Sequence, residues 1–244
     1  MLRTILFDLD GTLLPIDTDQ FVAQYMKALS AHIGHRVPPA RLVEQIMAST
    51  YAMIRDTSPE RTNAEVFAAD FFPKVGWAES ELMPVFDEFY RLRFPALRST
   101  CPGLPGVARE VVQSAVDLGY DIALTTNPLF PREAIEERMR WIGVLDMPWR
   151  LITTYEVMHA CKPQPAYYRE VLTMLDRQPE ECLVVGNDVE EDGAAAKLGI
   201  PVFFVTDYLI SRNGTPLPPD SSGTLAEFGG RLRRGFHIGQ QRVK

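Results

Sequence analysis

The sequence predicts an α/β fold in which helices cover a mainly parallel sheet and a helical cap is inserted near the amino terminus. Short apolar runs rich in β-branched residues recur along the chain, and segments with the apolar spacing of amphipathic helices separate them. Parallel strands need a crossover connection, and a helix is the usual one, so this alternation predicts a parallel sheet. One long stretch after the first run breaks the alternation, because its apolar spacing is helical throughout.

The strands and helices of the predicted core follow from these runs. Helices are expected over residues 107–118 and 167–175, where apolar side chains recur every three or four positions. Strands are expected at residues 4–9, 120–125, 149–153, 182–185 and 201–205.

The long helical stretch predicts a bundle of four cap helices. Asp17 and Asp19 are expected to begin the first of them, and Ser80 to cap the last. The apolar stripes of the four helices fall at residues 21–29, 42–47, 66–71 and 85–90.

The predicted domain boundaries place the cap at residues 16–98 and the α/β core at residues 1–15 and 99–244. The linkers 14–16 and 95–103 would let the cap move, although extra helices packed rigidly on the sheet would give the same pattern. After Asp207 the periodic signal weakens, so roughly the last 35 residues are expected to form a loose tail with a basic end.

Composition narrows the possible partners. The chain has 244 residues, with 32 acidic and 25 basic side chains and a net charge of −7, which argues against nucleic acid as the main partner. Three widely spaced cysteines suggest neither a disulfide framework nor a zinc knuckle. No signal peptide or membrane span is evident, so we expect a cytoplasmic protein. The sequence leaves the oligomeric state open.

The residues with the clearest chemical meaning stand where the first strand should end, in the run Asp8-Leu9-Asp10-Gly11-Thr12. Ligands of a parallel α/β sheet bind at the carboxyl ends of its strands, so both carboxylates face the expected site. Two carboxylates this close are costly unless a cation or a catalytic task compensates for their charge.

Four motifs in order resemble those of the haloacid dehalogenase-like hydrolase superfamily. The first is Asp8-Leu9-Asp10-Gly11-Thr12, and the second is Leu124-Thr125-Thr126-Asn127 at the end of another predicted strand. The third is Cys161-Lys162-Pro163-Gln164-Pro165 before a helix, and the fourth is Gly186-Asn187-Asp188 followed by Asp192. The resemblance covers about 200 residues and implies a Rossmann-like parallel sheet core with an inserted α-helical cap.

The resemblance implies a role for each motif residue. Asp8 would be the nucleophile that forms an aspartyl-phosphate, and Asp10 the general acid and then the general base. Thr126 and Asn127 would bind the phosphoryl oxygens. Lys162 would pair with both the phosphoryl group and Asp8.

The resemblance also implies a magnesium ion as cofactor, held by hard oxygen ligands. Asp8, the backbone carbonyl of Asp10 and Asp188 would bind it, with Asp192 in a supporting position. The sequence departs here from the commonest pattern, in which an aspartate directly follows the glycine. Asn187 is therefore the alternative to Asp188 as the ligand.

The resulting hypothesis is a magnesium-dependent phosphatase that acts on a small phosphorylated metabolite. A sugar-phosphate mutase of the β-phosphoglucomutase kind is the alternative, because it keeps both acids and a helical cap. A 2-haloacid dehalogenase would lack the second acid, so Asp10 counts against that activity. The complete set of motif residues counts against a catalytically silent binding module.

Overall fold

The structure, a computed structural model, describes residues 1–101, 106–214 and 217–235, together with the backbone of residues 237–238 and 241–242. Six parallel strands form one sheet in the order β3-β2-β1-β4-β5-β6, which confirms the predicted fold class. The strands are β1 Thr4–Phe7, β2 Asp121–Leu124, β3 Trp149–Ile152, β4 Cys182–Gly186, β5 Val202–Val205 and β6 Ser222–Gly223. Within this sheet, only the two-residue β6 has no counterpart among the predicted strands.

Helices connect the strands and cover both faces of the sheet. Five of them, α1 to α5, lie between β1 and β2 in the chain, and the first four fall where the sequence predicts the cap. The helices are α1 Thr18–Ile33, α2 Pro39–Arg55, α3 Asn63–Val75, α4 Glu79–Leu92, α5 Val107–Asp117, α6 Arg132–Trp141, α7 Pro165–Leu175 and α8 Leu225–Arg234. Shorter 3₁₀ helices span Phe94–Thr100, Pro179–Glu181, Asp192–Leu198 and Pro219–Ser221, and strands β7 His237–Ile238 and β8 Gln241–Arg242 pair antiparallel. No helix in the described ranges is long and apolar enough to cross a membrane.

The central strand β1 determines where the site forms. All four of its residues are buried, and it pairs with β2 on one side and β4 on the other. Phe7, its last residue, is in register with Leu124 and with Val185. The three strands therefore end side by side, and the residues that follow each of them meet at one edge of the sheet.

Cap helices α1 and α4 begin in different ways. Asp17 caps α1 as expected, because its carboxylate accepts a hydrogen bond from the backbone N–H of Gln20 at 2.9 Å. The expectation for Ser80 is wrong, since it lies inside the first turn of α4. That helix is instead stabilised at its start by Glu81, whose carboxylate accepts a hydrogen bond from the backbone N–H of Ala78 at 3.1 Å.

Aromatic packing joins helix α1 and the segment after α4 to helix α6. Phe21 of α1 and Phe94 both pack on Trp141 of α6, with ring centroids 6.2 and 5.7 Å from it. Part of the second predicted linker is thus a 3₁₀ helix, Phe94–Thr100, with a buried anchor, and residues 102–105 lie outside the described ranges. The division into a core and a cap at residues 16 and 98 stays a prediction.

The expectation of a loose tail is wrong for helix α8. Leu225, Phe228 and Leu232 form a buried stripe on this helix. The Phe228 ring packs edge-on against Phe7 of β1, with centroids 6.2 Å apart. Burial of three large apolar side chains gives α8 a fixed place in the core, and the sequence signal was weak because the helix is only ten residues long.

Candidate active site

The candidate site lies at the carboxyl ends of β1, β2 and β4. Asp8 follows β1 directly, Thr126 and Asn127 follow β2, and Asn187 follows β4. Gly11 makes this crowding possible. It has a positive φ of 79°, and a Cβ there would lie 2.2 Å from the Asn187 amide nitrogen. Any side chain at this position would displace the loop after β4.

Asp8 is held by two donors in a buried position. Its carboxylate Oδ1 accepts a hydrogen bond from Lys162 Nζ at 2.9 Å, and Oδ2 accepts one from the Thr12 hydroxyl at 3.1 Å. Its residual exposure is 7%. Burial raises the pKa of Asp8 to about 7, because the loss of solvation and the charge of Asp192 outweigh the Lys162 ammonium. Both carboxylate oxygens are fixed in direction by their donors.

Lys162 bridges two carboxylates inside the protein. Its side chain is 2% exposed, and Nζ donates to Asp8 Oδ1 and to Asp192 Oδ1, the latter at 2.6 Å. Burial opposes its charge, but the charges of Asp192 and Asp8 prevail and hold the pKa of Lys162 well above its usual value. The structure therefore brings together three of the predicted site residues, Asp8, Lys162 and Asp192, in one buried group of ion pairs.

Thr126 and Asn127 extend the site toward β2. The Thr126 carbonyl accepts hydrogen bonds from Thr153 Oγ1 at 2.8 Å and from Tyr167 Oη at 2.9 Å, which fixes the loop after the strand. The Asn127 side chain contacts the third motif, which contains Lys162. Its Oδ1 accepts a hydrogen bond from the Lys162 backbone N–H at 3.2 Å. Asn127 Nδ2 donates to Glu191 Oε2 at 2.9 Å. The side chain of Asn127 thus positions Lys162.

The two candidate metal ligands of the fourth motif, Asn187 and Asp188, lie in different environments. Asn187 Oδ1 lies 3.1 Å from the Thr12 hydroxyl that also contacts Asp8, so its amide oxygen faces the site. The Asp188 carboxylate turns away: its Oδ1 accepts hydrogen bonds from two backbone N–H groups, and its Oδ2 pairs with Arg212 Nη1 at 2.8 Å. Of the two alternatives, the geometry favours Asn187 as the residue that faces Asp8.

Arg138 is the site residue that the sequence analysis missed. Its side chain on α6 is 1% exposed, its Nη1 donates to Asp10 Oδ2, and its Nε donates to the Ala134 carbonyl at 3.1 Å. The guanidinium lies over the ring of Phe130 at 4.4 Å and faces Phe21 of α1 at 5.7 Å. A signal was present, because position 138 lies on the apolar face of its helix, where a charged residue needs a buried partner.

The second oxygen of Asp10 has a different environment from the first. Asp10 Oδ1 is buried and has no hydrogen-bond partner among the described residues, while Oδ2 is fixed by Arg138. A buried carboxylate oxygen without a donor is costly, so its persistence needs a ligand or a reaction to explain it. The arrangement leaves one Asp10 oxygen available to a ligand.

The oxygen atoms at this edge suit a hard cation. No three His, Cys, Asp or Glu side chains in the described ranges are grouped as metal ligands. Magnesium, however, commonly takes one or two carboxylates and fills its remaining positions with waters and phosphate oxygens. Asp8 and Asn187 present a carboxylate and an amide oxygen around the shared Thr12 hydroxyl, so the residues present fit such an ion.

Comparisons with known proteins show which family and fold the chain resembles. A family model described as haloacid dehalogenase-like hydrolase matches residues 2–199. The pyrophosphatase PpaX of Anoxybacillus flavithermus is 24% identical over 191 residues, which cover 77% of this chain and 75% of that protein. Among solved structures, a 2-haloacid dehalogenase from Pseudomonas syringae pv. Tomato superposes with a TM-score of 0.65 at 18% identity, covering 96% of this chain and 99% of that one. CbbY from Rhodobacter sphaeroides in complex with phosphate gives 0.58 at 21% identity, with 94% and 97% covered.

Proposed function

Because the chain belongs to the haloacid dehalogenase-like hydrolases, we propose that it is a magnesium-dependent phosphatase that hydrolyses a phosphate monoester through an aspartyl-phosphate on Asp8. The relatives include both phosphatases and dehalogenases, so the activity has to be argued from the side chains of this chain. The observation that carries the proposal is the pair of acids at the end of β1, one bound to Lys162 and the other to Arg138.

Asp8 has the environment of a nucleophile. Its carboxylate is aimed by Lys162 and Thr12 at the carboxyl end of the sheet, and the ammonium of Lys162 can neutralise an incoming phosphoryl oxygen. Attack by a carboxylate oxygen on phosphorus, with departure of the alcohol, splits one difficult displacement into two easier steps. Lys162 keeps its charge throughout, because Asp192 remains its partner when Asp8 becomes esterified.

Asp10 favours an oxygen leaving group. An alkoxide needs a proton as it departs, whereas a halide ion does not, so a second acid next to the nucleophile serves phosphate ester hydrolysis and not dehalogenation. Asp10 Oδ1, without a donor of its own, is the atom that would deliver the proton to the alcohol and later receive one from the attacking water.

We propose that Asp8, the Asp10 carbonyl and Asn187 hold a magnesium ion at this edge, with Asp188 and Asp192 outside its ligand set. When bound, the ion supplies positive charge that offsets the charge of the phosphoryl group. The carboxylate of Asp188 is already satisfied by Arg212 and the backbone, and Asp192 by Lys162. We also propose that residues 16–98 form the cap and that residues 1–15 and 99–244 form the core.

The test is phosphate release from p-nitrophenyl phosphate and from a panel of phosphorylated metabolites, with magnesium and with excess EDTA. We expect turnover that requires the metal and is lost in Asp8→Asn, whereas Asp146→Asn, at an exposed carboxylate, should keep it. Turnover that persists in EDTA after verified metal removal would contradict the metal requirement. Isomerised sugar phosphate in place of free phosphate would support the mutase.

A further inference from the structure

A cavity of about 890 Å³ lies between the four cap helices and the loops that follow β2 and β3. Binding sites for small molecules typically have about 300–1,000 Å³, so this volume is far larger than a phosphate group alone requires. Its walls are mostly aromatic and aliphatic, and include Tyr25, Met26, Phe67, Trp77, Phe86 and Phe130.

The cavity adjoins the candidate active site at two places. Phe130 forms part of its wall and lies under the guanidinium of Arg138, which pairs with Asp10. Phe67 and Leu129 also line it, and both pack against the cluster that contains Cys161, the residue before Lys162. The cavity shares Phe130 with the surroundings of the site but none of its catalytic side chains, so the alcohol part of a substrate whose phosphate lies at Asp8 would reach it past Phe130.

The charged residues that line the cavity all have one sign. Five are aspartate or glutamate, and none is lysine, arginine or histidine. Two of them, Asp87 on α4 and Glu133 on α6, interact: burial and the charge of Glu133 raise the pKa of Asp87. Both carboxylates are exposed, and in the described part of the chain neither has a hydrogen bond or an ion pair within the protein, so their charge is available to a ligand.

The acidic side chains and the apolar walls together decide which class of ligand suits the cavity. An anionic group would be repelled by the carboxylates at the edge of the cavity, and a strongly polar group would lose its hydration against the apolar walls inside it. A positive charge is attracted by the carboxylates and also by the faces of aromatic rings such as Phe86 and Tyr90.

We propose that the cavity binds the alcohol part of the substrate and that this part is an apolar or aromatic group carrying a positive charge. The inference rests on the phosphatase function proposed above and names its substrate class: a phosphate monoester of an organic ammonium alcohol.

The experiment compares three phosphate monoesters with similar leaving groups. They are the esters of 4-(trimethylammoniomethyl)benzyl alcohol, of its uncharged isostere 4-neopentylbenzyl alcohol, and of glycerol. We expect kcat/KM to be about tenfold higher for the cation than for the isostere, and at least about tenfold higher for the isostere than for glycerol. Equal values for cation and isostere, or a preference for glycerol, would overturn the inference.

A binding measurement separates this inference from the proposed function. Calorimetric titration of the wild-type protein with the free ammonium alcohol needs no turnover, and we expect it to bind more tightly than the uncharged alcohol. Binding without hydrolysis of any ester, p-nitrophenyl phosphate included, would contradict the phosphatase and leave the cation site in place. Hydrolysis without preferential binding of the cation would contradict the site alone.

Matched variants test the carboxylates. Combining Asp87→Asn with Glu133→Gln should lower the affinity for the ammonium alcohol about tenfold and leave that for the uncharged alcohol unchanged. Glu88→Gln and Glu136→Gln, on the same two helices but outside the cavity lining, are the controls. Ala68→Phe, which fills part of the cavity, should weaken binding of both alcohols. An equal response of both alcohols to the neutralising variant would overturn the assignment of charge.

Discussion

Arg138 and Asp10, 128 positions apart in the chain, form a partly buried ion pair that fixes one oxygen of the Asp10 carboxylate and leaves the other without a partner in the described residues. The guanidinium also contacts Phe21 of the first cap helix. One side chain thus connects the proposed general acid to the helices that cover it. This relationship gives Arg138 a positioning role, which its sequence context alone does not reveal.

Replacing Arg138 by Met should impair the reaction most where proton donation matters most. Without the guanidinium, Asp10 loses the donor that fixes its direction, and a misplaced catalytic group typically costs about 100-fold in rate. We expect kcat to fall by about that factor for an alkyl phosphate and far less for p-nitrophenyl phosphate, with Arg138→Lys in between. The measurement is steady-state kinetics with both esters.

Arg140→Met is the control for this substitution, because Arg140 is exposed on the same helix. Circular dichroism should confirm that each variant folds, since breaking a buried pair costs about 3–5 kcal/mol. An equal loss with both esters would show that Arg138 supports the fold and does not position Asp10.

Asp10→Asn should slow phosphoryl transfer from an alkyl phosphate by about 10²–10⁴-fold, the usual contribution of a general acid. With p-nitrophenyl phosphate the leaving group needs no proton, so the phosphoryl-enzyme should still form. It should then accumulate, because the base for the water step is also missing, and stopped-flow absorbance should show a burst followed by slow turnover. Slowing of the first step by the same factor with both esters would assign Asp10 to positioning or metal binding.

Substitutions at the fourth motif should separate the two candidate metal ligands. Asn187→Asp should tighten magnesium binding, because a carboxylate binds a hard cation better than an amide, and Asn187→Ala should weaken it. Asp188→Asn should leave magnesium affinity nearly unchanged, since Asp188 is turned toward Arg212. Calorimetric titration with magnesium provides the affinities. A greater loss of affinity in Asp188→Asn than in Asn187→Ala would reverse the assignment.

Helix α8 should contribute to the free energy of unfolding, although the apolar periodicity that predicts helices is weak in this part of the sequence. Phe228 is fully buried against Phe7 and Phe203, and truncating such a side chain to Ala typically costs about 3–5 kcal/mol. Urea denaturation should show this loss for Phe228→Ala. Tyr51→Ala, at an aromatic side chain that is 56% exposed, should change the free energy of unfolding by less than about 1 kcal/mol. Similar midpoints for the two variants would contradict the packed position of α8.

The sequence predicted those parts of the fold and site that depend on local pattern. Buried strands are continuous apolar runs, and their order along the chain places Asp8 and Lys162 at one edge of the sheet. The role of Arg138 could not be predicted from the sequence because its partner, Asp10, is distant in the chain. The two residues meet only when α6 packs against the end of β1. The choice between Asn187 and Asp188 as the metal ligand depends on the conformation of the turn after β4. Neighbouring residues in this turn point in different directions, so the side chain of Asn187 faces Asp8 whereas that of Asp188 faces Arg212.

The central claim is that Asp8 carries the phosphoryl group, and the direct measurement is mass spectrometry of peptides from wild-type protein quenched in acid during turnover. The account predicts a mass increase of one phosphoryl group, about 80 Da, on the peptide that contains Asp8, absent from Asp8→Asn and increased in Asp10→Asn with p-nitrophenyl phosphate. An unmodified Asp8 peptide during active turnover, or a phosphoryl group on another residue, would contradict it.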